Sequence, residues 1–271
     1  MNFFLDIDGT ILPMGAASAP ESAVRAIRKV RSEGHRVFLA TGRSPAEVMN
    51  SIYDIGLDGG VFAAGASIIL DGKEIYHRVF TEGEKEEAFS YCRAHSYGML
   101  IQSDKGTWTD QKTVDHWYDL MKKYIGREVK VDALVISSSI PRDLSVNKIL
   151  YISDNGQIEK IRKELSSHFT VVDNTVGLPA DLMGEIVLKG ISKATGIEKI
   201  LEVLHEGRNS VCAVGDGAND IEMIEYAHTG IAMGNATDGL KAAADWTAPD
   251  ILSDGLAAAL EYALHIQQNG K

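Results

Sequence analysis

The chain has 271 residues, 45% of them hydrophobic and 24% charged, with a formal net charge of -11. That length and apolar content are enough to bury a full core and predict two domains. The acidic balance excludes nucleic acid and an anionic membrane as main partners, since both need clustered Lys and Arg, and admits an anionic small substrate only where cations are placed locally.

The first predicted element is the strand that begins at Phe3-Phe4-Leu5 and runs into Asp6-Ile7-Asp8-Gly9-Thr10. An apolar run that ends in two acids, a glycine and a threonine reads as a buried strand delivering carboxylates to its C-terminal edge, where open α/β sheets place their chemistry. Unit charges about 4 Å apart repel by roughly 4 kcal/mol at an effective dielectric of about 20, so both acids stay ionised only around a cation. Oxygen ligands of this kind suit a hard ion such as Mg²⁺. Taken alone, Asp-x-Asp equally describes a strand-end turn, which collects Asp and Gly for conformational reasons.

Pro20 to Glu33 carries Val24, Ile27 and Val30 at helical spacing and closes at Gly34. The short strand Arg36-Val37-Phe38-Leu39-Ala40 then ends in a second polar turn, Thr41-Gly42-Arg43. Ser44-Pro45-Ala46-Glu47 reads as a capping box opening a helix with Val48, Ile52 and Ile55 on its apolar face. Two strand-to-helix crossovers in succession predict a parallel sheet with right-handed connections. A strand over 60–64 follows, then a hairpin around Asp71-Gly72.

From about Thr81 to Gly184 short strands alternate with helices, and none ends in a catalytic-looking turn, so this stretch reads as an inserted α+β domain. Trp108, Trp117 and Tyr118 are expected in its core. The parallel pattern is expected to resume with a strand over 184–188, a helix capped by Ser192, and the buried strand Ser210 to Val214. That strand ends in Gly215-Asp216-Gly217-Ala218-Asn219-Asp220, and an amphipathic helix with Leu252, Leu256, Leu260 and Leu264 closes the chain. The only two cysteines are Cys92 and Cys212; Cys212 lies within an apolar run, and a buried free thiol is expected rather than a disulfide. No run approaches the length of a membrane span and no basic leader precedes the first strand, so a cytoplasmic location is the expectation. The histidines show no zinc-ligand spacing.

Three strands thus end in polar turns, and Lys193 joins them from the first turn of a helix. In a parallel sheet such turns share one edge, so residues far apart in the chain converge. Each has a plain conformational reading, as turn, solvated lysine or helix cap; their joint occurrence does not.

Together, Asp6-x-Asp8-Gly9-Thr10, Thr41-Gly42-Arg43, Lys193 and Gly215-Asp216-Gly217-x-Asn219-Asp220 resemble the four motifs of the haloacid dehalogenase-like phosphohydrolases. The run Lys189-Gly190-Ile191-Ser192-Lys193 and the large insertion resemble the Cof-type branch, subfamily IIB. The resemblance implies an α/β fold: a Rossmann-like parallel core at 1–80 and 185–271 with an α+β cap at 81–184. It implies an Mg²⁺-dependent phosphatase for a small phosphorylated metabolite, such as a sugar phosphate. On this resemblance Asp6 is the nucleophile that forms an aspartyl phosphate, and Asp8 is the general acid and base. Mg²⁺ falls to the Asp6 carboxylate, the Asp8 main-chain carbonyl and Asp216, with Asp220 either an outer ligand or the partner that orients Lys193. Phosphate binding falls to Thr41, Gly42, Lys193 and Asn219. Arg43 receives no catalytic role, and Thr10 is expected to tie the loop down. One departure is Ala64-Gly65-Ala66, where many relatives have Asn-Gly-Ala. Two rival readings are a phosphomutase using the same aspartyl phosphate and a non-catalytic phosphate-binding module.

Overall fold

Short apolar runs separated by amphipathic stretches build the first third of the chain: β1 (Asn2–Leu5), α1 (Glu21–Ser32), β2 (Arg36–Ala40), α2 (Asn50–Tyr53), β3 (Gly59–Phe62), β4 (Ser67–Leu70) and β5 (Lys73–His77). The middle contributes α3 (Glu82–Ala94), β6 (Gly98–Ser103), β7 (Gly106–Thr109), α4 (Gln111–Leu120), β8 (Leu134–Ile136), β9 (Val146–Ile152), α5 (Ile158–Glu164), β10 (Phe169–Asp173) and β11 (Met183–Leu188). The last part adds α6 (Lys193–Leu204), β12 (Val211–Gly215), α7 (Ile221–Tyr226), β13 (Thr229–Ala232), α8 (Asp238–Ala243), β14 (Trp246–Thr247) and α9 (Gly255–Asn269). This computed structural model describes residues 1–126, 129–174 and 176–269.

The chain divides into two units. The first comprises Met1–Gly42, Val48–His77 and the stretch from Ser192 onward. Its sheet has the order β14-β13-β12-β1-β2-β3-β4-β5. From β14 to β3 neighbouring strands are parallel, and the β4–β5 hairpin adds an antiparallel edge. Alternate residues of β1 serve opposite faces, as a strand requires. Phe3 and Leu5 pack with Ile27 and Val30 of α1 and Leu260 of α9, whereas Phe4 packs with Ile197 and Ile200 of α6 and Met223 of α7. Helices therefore cover both faces, and the edge where β1, β2 and β12 end is left for polar turns.

The second unit comprises Arg43–Glu47 and Arg78–Ile191. Its sheet runs β10-β11-β9-β6-β7-β8 and is antiparallel except at β7–β8. Ile101, Ile149 and Tyr151 join one apolar cluster with Phe80 and Phe169, while Leu100, Leu150 and Ile152 join another with Trp117 and Met183. Trp117 is buried and Trp108 packs against the first of these clusters, as expected of core residues. Cys92 and Cys212 are free and buried.

Two local expectations are corrected. The strand at 184–188, expected in the parallel sheet, lies in the second unit between β9 and β10. Every residue of β11 is buried, and a strand covered on both faces has the same sequence pattern in either kind of sheet. The helix expected from Pro45 is a 3-10 turn over Pro45–Glu47, and α2 starts only at Asn50. Glu47, expected on the solvent side of a helix cap, is instead buried. Among the described residues no helix is long and apolar enough to cross a membrane.

Candidate active site

Asp6 leaves the end of β1 with its backbone still in the sheet, its N–H donating to the Val214 carbonyl at 3.0 Å. Lys193 is the first residue of α6, set in place by the Ser192 cap, whose hydroxyl accepts from the Thr195 N–H at 3.3 Å. The two meet across 187 positions of sequence: Lys193 Nζ donates to Asp6 Oδ1 at 2.7 Å and to Asp220 Oδ1 at 2.5 Å. All three side chains are buried, Lys193 to 1% exposure. The second oxygen of Asp220 accepts from the N–H groups of Asp216 and Gly217, at 3.0 and 2.9 Å. Both oxygens of Asp220 are thus taken by protein donors, and two of these bonds pin the loop after β12.

Asp6, Asp216 and Asp220 each present a carboxylate oxygen within 4.8 Å of the others. The backbone accommodates this crowding at Gly9, whose φ of +82° is open to glycine and where a Cβ would sit 2.1 Å from Asp216 Oδ2. Thr10 fixes the facing carboxylate, its hydroxyl donating to Asp216 Oδ1 at 3.5 Å. Asp8 lies outside that set of three carboxylates; its backbone bridges to Leu12. Thr41 is buried just beyond β2, its N–H on the Val61 carbonyl at 2.8 Å and its own carbonyl accepting from Ala64 N–H at 3.0 Å. Gly42 follows it, and Asn219 is half-buried in the 3-10 turn Ala218–Asp220. Arg43 Nη1 pairs with Asp132 within the second unit.

The electrostatics show a centre short of positive charge. Burial pushes the Asp6 carboxyl well above the ordinary carboxylate range; Lys193 opposes the rise, and Asp220, Asp216 and Asp8 reinforce it. Asp216 is raised to about 7, first by burial and then by Asp220. Burial alone would lower Lys193, yet Asp220 and Asp6 hold it above its usual value. One ammonium therefore does not balance three acids, and a divalent cation fits the donor set: hard oxygens, closely spaced, beside a glycine that leaves room.

A pH dependence follows for the metal-free protein. A carboxyl with a raised folded-state value binds more protons folded than unfolded between 3.8 and about 7, so its contribution to stability falls as pH rises through that window. The urea midpoint of EDTA-treated protein minus that of Asp216→Asn is expected to fall between pH about 5 and pH about 7.5. A flat or rising difference contradicts the assignment.

The haloacid dehalogenase-like hydrolase family model matches residues 3–260. The chain belongs to this family. Among its relatives, this hydrolase is 28% identical to YkrA of Bacillus subtilis (strain 168), over 95% of each chain. It is 24% identical to the 5-amino-6-(5-phospho-D-ribitylamino)uracil phosphatase YitU of the same organism, again over 95% of each. A phosphatase structure of the haloalkanoate enzyme superfamily from Bacteroides thetaiotaomicron superposes with a TM-score of 0.82 at 22% identity, covering 96% of this chain and 94% of that one. A subclass IIB sugar phosphatase superposes at 0.77 with 23% identity, covering 97% and 98%. These structures share the fold of the hydrolase, and the family resemblance carried by its four motifs holds.

Two contributors to the site carry no motif. Asn235, beyond β13, donates from Nδ2 to the Gly9 carbonyl at 2.8 Å and accepts the Ile251 N–H at 3.0 Å, fastening the Asp6–Thr10 loop. Its signal was position: Gly234-Asn235 follows a buried strand, as the other turns do. Gly65, with φ of +112°, lets the turn after β3 lie against the head of α6, where a Cβ would meet the Ser192 carbonyl at 2.3 Å.

Proposed function

We propose that this hydrolase is an Mg²⁺-dependent phosphatase that cleaves a small phosphorylated metabolite, such as a sugar phosphate, through an aspartyl phosphate. The observation that carries the reading is the buried cluster in which Lys193 bridges Asp6 and Asp220 beside Asp216. Phosphate monoesters resist hydrolysis so strongly that enzymes accelerate it by up to about 10²¹, which requires several groups acting together.

In the proposed sequence a carboxylate oxygen of Asp6 attacks phosphorus and the bond from phosphorus to the ester oxygen breaks. Asp8 gives its proton to that departing oxygen. Water then loses a proton to Asp8 as its oxygen bonds to phosphorus, and the Asp6–phosphorus bond breaks, restoring the carboxylate and releasing orthophosphate. Lys193 holds Asp6 through Oδ1 and offers positive charge to the phosphoryl oxygens, with Thr41, Gly42 and Asn219 as further donors. Asp220 orients Lys193, since both its oxygens are already engaged. Asp6, the Asp8 carbonyl and Asp216 would hold Mg²⁺, which when bound offsets negative charge on the nucleophile and the phosphoryl group. We assign substrate selection to the inserted stretch, residues 81–184.

The test is orthophosphate release over sugar phosphates, nucleotides, pyridoxal phosphate and flavin mononucleotide. Release is expected with Mg²⁺, is expected to stop in EDTA and to return when Mg²⁺ is restored, with no bisphosphate activator. Full turnover in chelator would contradict the metal assignment. A strict need for a bisphosphate would favour the phosphomutase, and no release from any compound would favour a binding module.

A further inference from the structure

Asp6 and Asp8 stand on the loop after β1 and Asp216 on the loop after β12, and a third turn of the same unit, residues 233–237 after β13, is bonded to both. Met233 N–H donates to the Gly215 carbonyl at 2.9 Å, and Thr237 N–H to the Asp216 carbonyl at 3.0 Å. Between them Asn235 donates from Nδ2 to the Gly9 carbonyl at 2.8 Å. The first two are backbone bonds; the third depends on the side chain. Asn235 is itself held from behind, its Oδ1 accepting the Ile251 N–H at 3.0 Å. With an acceptor on one side and a donor on the other, only one orientation of the amide satisfies both.

The bond falls on a point where the backbone is most easily displaced. A Cβ at Gly9 would stand 2.1 Å from Asp216 Oδ2, so the two loops are in close contact, and Gly9 with φ of +82° has a glycine's freedom to move. Across the gap the Thr10 hydroxyl meets Asp216 Oδ1 at 3.5 Å, the long limit for a hydrogen bond. Within the loop, Gly9 N–H donates to the Leu12 carbonyl at 2.8 Å, which fixes the peptide plane carrying the Asp8 carbonyl. The next plane is held more loosely from inside, Thr10 N–H reaching the Ile7 carbonyl at 3.3 Å. Asn235 takes hold of that plane from outside.

We propose that Asn235 is a positioning residue that, acting through the Gly9 carbonyl, sets the Asp8–Gly9 backbone opposite Asp216. The proposal rests on the phosphatase reading above, in which the Asp8 carbonyl and Asp216 hold Mg²⁺ from the two loops and the Asp8 side chain carries the proton. Hydrogen bonds that orient the ligands of a metal are typically worth about 10–100-fold in metal affinity or activity. A residue acting in this way changes the chemical step more than substrate binding, so kcat falls while KM is kept.

Two variants of the full chain separate the two ends of the amide. Asn235→Ala removes both bonds, whereas Asn235→Asp keeps an oxygen for the Ile251 N–H and sets another oxygen against the Gly9 carbonyl. Asn235 is exposed, so both variants are expected to fold, with urea midpoints near that of the wild type. In the metal-free protein, hydrogen exchange of the Gly9, Thr10, Ile11 and Leu12 amides is expected to quicken by about fivefold in both, with that of the β4 amides unchanged. For a phosphate ester that the wild type hydrolyses at saturating Mg²⁺, Asn235→Ala is expected to lower kcat by about tenfold with KM within about threefold, and to raise the calorimetric Kd for Mg²⁺ by about tenfold. Unchanged exchange at 9–12 in either folded variant overturns the proposal whatever the activity. An Mg²⁺ Kd within about twofold of that of a wild type that binds the ion also overturns it, as does a rise in KM with kcat retained, which would make Asn235 a substrate contact. Faster exchange in the variants of a wild type that neither binds Mg²⁺ nor hydrolyses esters supports the positioning role and removes the phosphatase reading alone.

Discussion

Asp6→Asn is expected to abolish turnover while leaving the protein folded, with kcat lower by on the order of 10⁴-fold or more, the scale seen when a covalent catalyst loses its nucleophile. The carboxamide cannot form an acyl phosphate under these conditions, so the loss should appear in kcat and not only in KM. Stability should move the other way. Asp6 is buried and its carboxyl is already driven above its ordinary range by burial and by Asp220, Asp216 and Asp8. Removing one negative charge relieves that crowding, and the amide oxygen can still accept from Lys193 Nζ, which lies 2.7 Å from Oδ1. The urea midpoint of the metal-free variant is therefore expected to equal or exceed that of the wild type near neutral pH. Orthophosphate release within about tenfold of wild type would remove Asp6 as nucleophile. A large loss of stability would show instead that the carboxylate is a structural partner of Lys193.

The parts of this site that the sequence made legible share one property: they sit where a buried strand ends. Asp6 and Asp216 follow β1 and β12, neighbours in a parallel sheet that gathers such ends by topology alone, so their convergence needs no side-chain detail. Lys193 was legible because Ser192 marks a helix start. What could not be read depended on which partner a pattern meets. The fully buried residues of β11 suit either sheet, and only pairing with Ile149 to Ile152 of β9 decides between them. The short strands β7 and β8 are brief enough to vanish among turn residues. Glu47 looked like a cap because its spacing from Ser44 is that of a cap; its second oxygen meets Gln102 and Thr107, 55 and 60 positions away. Ala64 took up a left-handed φ of 56° without the glycine or asparagine that would announce it.

Lys193→Met is expected to cause the larger structural damage of the two active-site variants, because it removes the ammonium that touches both Asp6 and Asp220 and leaves their carboxyls buried. Breaking a buried ion pair from one side typically costs about 3–5 kcal/mol. Here the loss should depend on pH, with a definite sign. The raised folded-state value of Lys193 means its stabilising contribution is complete below the ordinary lysine range and fades only above it, so the wild type keeps the bond throughout neutral pH. In the variant, the acids can escape repulsion only by taking up protons, which is easy near pH about 5 and harder near pH about 8. The difference in urea midpoint between wild type and Lys193→Met is therefore expected to widen as pH rises. Turnover should fall by about 10²–10³-fold, the scale of losing one preorganised donor to transition-state charge. A stability difference that stays constant or narrows with rising pH would mean the aliphatic stem of Lys193, and not its charge, holds this corner of the fold, and methionine would then replace it with little loss.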